Sequence, residues 1–325
     1  MKQIANRHIL ITGASSGIGL EAALQLHSAG HQLTLPCRNS EAAAKLNQRI
    51  GSGAEMVQTP ICDLGDLSSV ASCAKELLIK GKPIDSLVLN AGLQYSGSKH
   101  PRWSKQGFEL TIAVNHLAHQ ALLEQLLPLL LLSESPRLII TASETHDPNS
   151  AGGKVGAPAG LADLIGLQQG PGALMLDGSN IFNAEKAYKD SKLCNLLMAQ
   201  HVSNTLTISS TPITVIGWSP GLVIPRTNGG FFRYSRKQNP IGQTLFALIA
   251  RDLLHLCETA QGAGKLLANL ATEQQLETTN FQYWCNSVIG LGNLKFKQTD
   301  PSPEACCLKL AEKLWQLSAK QINKN

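Results

Sequence analysis

The sequence predicts an α/β fold: a Rossmann-like, doubly wound, parallel seven-stranded sheet with helices on both faces. Short apolar runs alternate along the chain with longer segments of helical period, which is typical of βαβ units. The first apolar run leads into a glycine-rich turn and then into a helix. At 325 residues, with 43% hydrophobic and 16% charged residues, the chain can bury a large core. We therefore expect one domain over residues 1–325.

Each predicted strand is a short apolar run bounded by polar or turn-forming residues. The predicted strands are His8–Thr12, Gln32–Pro36, Glu55–Ile61, Ser86–Leu89, Arg137–Thr141, Thr214–Trp218 and Gln282–Trp284. The Gly/Pro-rich stretch 148–172 is too long for an ordinary connection, so we expect an active-site insertion at about 147–183, either a functional lid or a disordered segment. Residues 301–325 return to helical spacing and predict a C-terminal helical tail on the surface.

Composition and charge exclude several classes of protein. The formal charge is +5, and the Lys and Arg residues are scattered, which argues against a nucleic-acid partner. The eight cysteines form no CxxC pair, so we expect free thiols and a cytoplasmic location. The N-terminal residues show no signal-type pattern, so we expect that the protein is not exported. The apolar stretch 121–132 contains Glu124 and Pro128 and is too short to cross a bilayer, which predicts a buried helix.

A glycine-rich turn of the form TGxxxGxG follows the first strand and precedes a predicted helix, Leu20–Ser28. Glycines at these positions let backbone amides approach a pyrophosphate, and the helix N-terminus favours the negative charge. This pattern predicts a dinucleotide-binding site. Its predicted residues are Gly13, Ser15, Ser16, Gly17, Ile18 and Gly19.

The second predicted strand ends near Arg38, where NAD-binding folds usually place an acidic residue. An arginine attracts a 2′-phosphate, so NADPH is the expected cofactor; a solvated loop charge is the alternative. Asp63, followed by Leu64, would suit the adenine amino group, although a helix-capping role is nearly as good. The remaining predicted cofactor contacts are Asn90, Ala91, Gly92, Pro220 and Gly221.

Tyr188 and Lys192 are one turn apart on a predicted helix, so their side chains share a face. A lysine ammonium beside a tyrosine favours the phenolate, and this lysine could also hold the nicotinamide ribose. Ser143, after the fifth strand, would polarise the substrate oxygen. Asn115 would support a water chain to Lys192; as an alternative, it is a buried polar group bonded to backbone.

Together these motifs resemble the short-chain dehydrogenase/reductase family. The resemblance rests on TGASSGIG, Asn-Ala-Gly, the Asn115 segment, Ser143, YxxxK and Pro220-Gly221, which occur in the family's order over nearly the whole chain. It implies a Rossmann-like fold and an oxidoreductase whose catalytic residues are Asn115, Ser143, Tyr188 and Lys192.

Within that family the chain resembles the light-dependent protochlorophyllide oxidoreductases. The shared features are the KAYKDSK segment ending at Lys192, Cys37-Arg38, and a long separation of Ser143 from Tyr188 that contains Gly160–Leu167. The resemblance implies reduction of the C17–C18 double bond of protochlorophyllide, with NADPH as hydride source and Tyr188 as proton donor. It also implies peripheral contact with photosynthetic membrane and self-association.

The chain departs from those enzymes at several positions. The Pro-Gly-Cys that follows their sixth strand is Pro-Gly-Leu222 here, and a second family cysteine is Leu89. After Leu222, residues 223–226 and 229–233 keep only a Phe-Arg character. Two other functions therefore stay open: a light-independent dehydrogenase acting on a carbonyl or alcohol of a bulky apolar substrate, and a non-catalytic pigment- or NADP(H)-binding protein.

Some remaining polar and aromatic residues have two readings each. The three histidines His116, His119 and His146 could form a metal cluster, but no carboxylate or cysteine completes it, so satisfied structural histidines are favoured. Cys194 is expected to be a packed thiol beside the active-site helix. Four aromatic residues are expected either to line the pocket or to pack in the core: Tyr95, Trp218, Phe232 and Trp284.

Overall fold

The structure, a computed structural model, describes residues 6–51, 56–206, 213–224, 231–278, 280–290 and 292–324. Its strands form one sheet in the order β3-β2-β1-β4-β5-β6-β7-β8. All neighbouring pairs are parallel except β7 and β8. The strands are β1 His8–Ile11, β2 Gln32–Thr34, β3 Val57–Gln58, β4 Ser86–Leu89, β5 Arg137–Thr141, β6 Thr214–Ser219, β7 Gln282–Gly290 and β8 Asn293–Gln298.

The predicted fold class is confirmed, but the sheet has an additional strand. The first seven strands coincide with the seven predicted runs, whereas β8 was not predicted. β7 extends beyond Trp284 to Gly290 because it pairs there with β8. β2 and β3 are shorter than predicted: Pro36 and Pro60 lack the N–H that a ladder needs, and Glu55 lies outside the described residues.

Helices cover both faces of the sheet. They are α1 Gly17–Ser28, α2 Ser40–Ile50, α3 Leu67–Lys80, α4 Leu110–Ile112, α5 Ala118–Leu131, α6 Ile165–Gln169, α7 Ala184–Leu206, α8 Arg233–Gln238, α9 Pro240–Ala247, α10 Ala260–Thr272 and α11 Leu308–Ile322. Side-chain caps fix several starts: Asn39 accepts a hydrogen bond from Ala42 N at 2.9 Å and Asp66 accepts one from Ser68 N at 3.0 Å.

The alternation of side chains along β1 divides the core into two layers. Leu10 packs in the layer under α3, α5, α7 and α11, while Ile9 and Ile11 pack in the layer under α1, α2 and α10. Both layers are buried because a parallel sheet has helices on each face. The predicted apolar stretch at 121–132 forms most of α5, which is buried as expected.

The segment predicted as an insertion, at about 147–183, packs beside α7. Leu161, Leu164 and Leu167 are buried in the larger core layer. Leu161 N donates to Glu304 Oε1 at 3.1 Å. The insertion is therefore anchored by its apolar side chains and by the chain that follows β8.

The C-terminal tail is helical, as predicted, but it is more than a surface helix. α11 buries one face, because Ala311, Leu314, Ser318 and Gln321 recur at helical spacing and are buried. Gln321 Nε2 donates to Leu167 O at 2.8 Å, which joins the tail to the insertion.

Two further properties of the described residues bear on the sequence analysis. No helix in the described ranges is long and apolar enough to cross a membrane. All eight cysteines are free thiols, in agreement with the sequence analysis.

Candidate active site

A cavity of about 1130 Å³ opens at the carboxyl ends of the parallel strands. This is where ligands bind in doubly wound sheets, at the point where β1 and β4 lead the chain in opposite directions. Apart from Asn115, every predicted cofactor and catalytic residue lines it: Gly13, Ser15, Ser16, Gly17, Ile18, Gly19, Arg38, Asp63, Leu64, Asn90, Ala91, Gly92, Ser143, Tyr188, Lys192, Pro220 and Gly221.

The glycine turn after β1 is packed so closely that side chains would not fit. A Cβ at Gly13 would lie 2.8 Å from Ala91 Cα, and one at Gly19 would lie 2.6 Å from Gly13 O. Gly13 also has φ of +73°, which favours glycine. The turn therefore leads directly into α1 with its backbone at the cavity surface, as a pyrophosphate site requires.

Thr12, which the sequence analysis did not single out, joins the turn to β4. Its Oγ1 accepts hydrogen bonds from Asn90 N at 2.9 Å and Ala91 N at 3.0 Å. Asn90 Nδ2 donates to Thr12 O at 3.1 Å. These bonds fix the distance between the two strand ends that border the cavity.

At the β2–β3 side of the cavity, Arg38 is exposed and directly follows the buried Cys37. Asp63 Oδ1 accepts a hydrogen bond from Gly65 N at 2.9 Å, so its carboxylate stabilises the turn before α3. The cap of α3 itself is Asp66. Asp63 thus has a local structural role while it still faces the cavity.

Tyr188 and Lys192 extend from α7 toward Ser143 at the end of β5. Ser143 is close enough to Tyr188 to act on its pKa, and Thr145 donates its N–H at 3.3 Å and its Oγ1–H at 3.0 Å to Ser143 Oγ. Lys192 Nζ donates to Thr141 O at 3.0 Å and lies 5.7 Å from the Tyr188 ring centroid. α7 and the chain at the end of β5 therefore present one polar cluster to the cavity.

The pKa values in this cluster differ from the sequence-based expectation. Burial raises the pKa of Tyr188 to about 12, against a smaller lowering by Ser143. Burial lowers the pKa of Lys192 to about 7. The expected phenolate is therefore not favoured, because desolvation opposes both charged forms. A protonated Tyr188 is suited to donate a proton.

Asn115 lies in a single π-helical turn, Ala113–Leu117, beneath the cavity. Its amide exchanges hydrogen bonds with the backbone of Leu93, at 2.9 and 3.0 Å, and donates to Ser191 Oγ at 3.0 Å. In the structure, Asn115 is therefore a buried polar group bonded to backbone, the alternative considered from the sequence. A Cβ at Gly92 would nevertheless lie 3.5 Å from both Asn115 Oδ1 and Lys192 Nζ, so the two side chains are neighbours.

Several charged cavity residues were missed by the sequence analysis, among them Glu144 and Lys189. Glu144 follows Ser143, and burial raises its pKa. Lys189 Nζ donates to three carbonyl oxygens of the insertion: Gly153 at 2.8 Å, Val155 at 2.6 Å and Ala157 at 2.9 Å. Nothing in a single sequence distinguishes these residues from solvated charges, because their partners depend on the fold.

Of the four aromatic residues considered from the sequence, only Phe232 lines the cavity. Trp218 is fully buried and donates Nε1–H to Thr141 Oγ1 at 2.9 Å. Tyr95 is buried and hydrogen bonded to Glu109, and Trp284 stacks on Phe296. Tyr95 and Trp218 are therefore buried in the core, and the partly buried Trp284 packs against it.

The three histidines each have protein partners. His116 Nε2 is 3.1 Å from Ser318 Oγ, and His119 Nε2 is 3.0 Å from Thr12 Oγ1. His146 Nδ1 is 2.7 Å from Ser143 O, and its Nε2 accepts from Ser302 N at 3.1 Å. Cys194 is fully buried on α7. In the part of the chain that the structure describes, no group of His, Cys, Asp or Glu could hold a metal ion.

The comparisons with known proteins agree with this geometry. Residues 7–155 match the family model "short chain dehydrogenase". The chain is 33% identical over 321 residues to protochlorophyllide reductase A, chloroplastic, of Oryza sativa subsp. japonica, covering 97% of this chain and 80% of that protein. The chain belongs to the short-chain dehydrogenase family. It is accordingly an oxidoreductase.

Solved structures show the same fold. A protein from Mycobacterium paratuberculosis aligns with a TM-score of 0.69 at 24% identity, covering 98% of this chain and 94% of that one. A protein from Escherichia coli CFT073, solved in complex with NADPH, aligns with a TM-score of 0.60 at 22% identity, covering 88% and 99%.

The cavity of this chain has the features that NADPH requires. Its glycine cradle at Gly13 and Gly19 leaves no room for a Cβ, and Arg38 places a cation at the β2–β3 side of the cavity, where it would suit a 2′-phosphate. Leu222, at the position of the cysteine in protochlorophyllide oxidoreductases, also lines the cavity. Arg226, Gly229 and Gly230, considered from the sequence, lie outside the described residues.

Proposed function

We propose that the protein is an NADPH-dependent reductase of the protochlorophyllide reductase type, reducing the C17–C18 double bond of protochlorophyllide to chlorophyllide in the light. The observation that supports this most directly is the cavity itself. Its volume of about 1130 Å³ exceeds the roughly 300–1,000 Å³ typical of a single small ligand. It therefore has space for a dinucleotide and a bulky second ligand.

The walls of the cavity near Tyr188 fit an apolar macrocycle. Phe231 packs edge-to-face on Tyr188 at 5.3 Å between ring centroids and on Phe232 at 5.0 Å. Leu222, Phe246 and further apolar side chains continue this surface. Flat, apolar tetrapyrroles bury well against aromatic faces of this kind.

The roles of the polar residues follow from their positions. NADPH, when bound, supplies the hydride that C17 receives and becomes NADP⁺. Tyr188, protonated because burial raises its pKa, gives its hydroxyl proton to C18 and is reprotonated from solvent. Lys192 and Ser143, which lie beside Tyr188, orient its hydroxyl. Because Leu222 cannot donate a proton, Tyr188 is the proton source in this chain.

The test is to mix the purified protein with NADPH and protochlorophyllide in darkness, record the absorption spectrum, illuminate and record it again. A light-dependent red shift to the chlorophyllide band is expected, and Tyr188→Phe should lose at least about tenfold in rate, since general acids contribute 10²–10⁴-fold. Phe keeps the ring that packs on Phe231, so the fold should survive.

A bound pigment spectrum that never changes under light would contradict the proposed reaction and indicate a pigment-binding protein. Failure to bind the pigment at all would contradict it as well.

A second function is favoured by one observation, the position of Ser143 beside Tyr188 in the cavity, where Ser143 acts to lower the pKa of Tyr188. This pair is suited to polarise a carbonyl oxygen and protonate it, which a C=C reduction needs less. The alternative is a light-independent reductase of a carbonyl on a bulky apolar substrate. Consumption of NADPH in darkness with such carbonyls, abolished by both Ser143→Ala and Tyr188→Phe, would support it over photoreduction.

A further inference from the structure

Two arginines, Arg102 and Arg233, lie against Tyr234 at the start of α8, and the charge of a third, Arg38, also acts on it. The guanidinium carbon of Arg102 lies 4.5 Å from the Tyr234 ring centroid, and that of Arg233 lies 4.4 Å from it. Arg233 Nη2 is also 3.5 Å from Tyr234 Oη. Arg38, Arg233 and Tyr234 all line the cofactor cavity. Arg38, which follows β2, and Arg233, at the start of α8, therefore both bring a guanidinium group to the part of the cavity near Tyr234.

The electrostatics of Tyr234 show that this end is cationic. Burial acts to raise its pKa, yet the hydrogen bond and charge of Arg233 and the charges of Arg38 and Arg102 outweigh burial, so the pKa lies below its ordinary value. Within the described part of the chain, no carboxylate forms an ion pair with Arg38 or Arg102. Glu41 on α2 is paired instead with Lys45 at 2.6 Å.

Such an arrangement suits a multiply charged anion. Guanidinium groups bind phosphate oxygens through pairs of N–H donors, and one arginine leaves part of a dianionic phosphate unpaired. Arg38 follows β2, where the adenosine ribose lies in doubly wound dinucleotide-binding folds. The anion closest to this position in the proposed cofactor is its 2′-phosphate.

We propose that Arg233 is a second ligand of the NADPH 2′-phosphate, acting with Arg38, so that the segment beginning at α8 closes over the adenosine end of the cofactor. This inference rests on the proposed function only for the identity of the cofactor. Tyr234 and Arg102 are positioning residues: the Tyr234 ring lies against both Arg102 and Arg233 and holds the latter at the cavity.

The test is to measure dissociation constants of NADPH, NADH, 2′,5′-ADP and 5′-AMP by fluorescence and calorimetry, with no substrate and no light. Arg233→Ala should weaken NADPH and 2′,5′-ADP by about tenfold and leave NADH and 5′-AMP unchanged, because only the first pair has the 2′-phosphate. Arg38→Ala should give the same pattern. Lys237→Ala, which removes an exposed cation from the same helix, should change none of the four constants.

Arg233→Lys distinguishes the loss of a phosphate contact from misfolding, because lysine keeps the positive charge but lacks the paired N–H donors of a guanidinium group. Its binding of 2′,5′-ADP should be weakened less than that of Arg233→Ala. Equal weakening of 2′,5′-ADP and 5′-AMP would overturn the proposal, as would no change in either. An unchanged NADPH affinity with a raised KM for the substrate would overturn it in favour of a substrate carboxylate at this site. Absence of photoreduction leaves these binding measurements intact, so the two proposals fail separately.

Discussion

At the scale of single residues, the titration of Lys192 gives a measurable pH dependence. Its pKa is lowered by burial to about 7 in the folded protein, against about 10.4 in an unfolded chain. Between these values the unfolded state binds the additional proton, so stability rises with pH over that interval. The slope contributed by this group is at most about 1.4 kcal/mol per pH unit.

We therefore predict that Lys192→Met removes a positive slope. The unfolding free energy of the wild type, minus that of Lys192→Met, should increase from pH 7 to pH 9 in urea titrations without cofactor. Lys189→Met is not a suitable control because Lys189 is hydrogen bonded to the insertion. The control is Lys75→Met, at an exposed position on α3. For this variant the difference in unfolding free energy from the wild type should not change with pH. A flat difference for Lys192→Met itself would show that its ammonium stays charged when buried.

The sequence predicted those site residues whose chemistry is tied to a local pattern. Two local patterns carried these predictions: the glycine spacing of a strand–turn–helix, and the four-residue spacing of one helix face. They gave Gly13, Gly19, Tyr188 and Lys192, which all line the cavity. Glu144 belongs to no pattern, so the fold was needed to find it. The pKa of Tyr188 was predicted in the wrong direction because spacing shows its neighbour but not its desolvation.

At the scale of elements, α7 holds both the catalytic pair and the insertion. Lys189, one residue after Tyr188, donates to three carbonyl oxygens of the insertion, and Asp190 Oδ1 accepts from Gly160 N at 3.0 Å. Lys186 Nζ donates to Gly160 O at 2.7 Å. Loss of Lys189 leaves three carbonyl oxygens without this donor, of which only that of Gly153 belongs to a buried residue. A buried acceptor without a donor costs about 1–3 kcal/mol, whereas the more exposed ones can bond water.

Lys189→Met should therefore loosen residues 147–160 while the sheet stays intact. We expect hydrogen exchange to increase in that segment, with an unfolding free energy lower by about 3 kcal/mol at most, since the carbonyls can regain water. The substrate KM should rise while NADPH affinity changes little, because the insertion borders the cavity at Ala151, Gly152 and Val155. Unchanged exchange in 147–160 would contradict this role; Lys75→Met again serves as the control.

Prediction of the elements succeeded where burial is two-sided. The apolar runs of β1, β4 and β5 are buried at every position, so composition alone marks them. β8 has the sequence NLKFKQ and is exposed or half-buried throughout, with two lysines that suit an edge strand. β8 forms by pairing with β7. This pairing is a tertiary contact, so no apolar run within β8 itself predicts the strand.

At the scale of the whole molecule, the cavity joins parts of the chain that are distant in sequence. The glycine turn after β1, the ends of β4 and β5, α7 and the start of α8 all border it. A ligand that contacts all of these binds only the folded state, so its binding free energy adds to stability. At a free concentration about 100 times the dissociation constant, that gain is about 2.7 kcal/mol.

We predict that NADPH raises the midpoint of thermal unfolding more than NADH does at equal concentration, because the 2′-phosphate adds contacts to Arg38. The difference should shrink in Arg38→Ala and vanish only when Arg233 is replaced as well, since removing both cations leaves the two cofactors with the same glycine cradle. Differential scanning calorimetry over a range of cofactor concentrations gives the two dissociation constants independently of any reaction. Equal stabilisation of the wild type by NADPH and NADH would mean that Arg38 is a solvated charge and that the cavity does not distinguish the two cofactors.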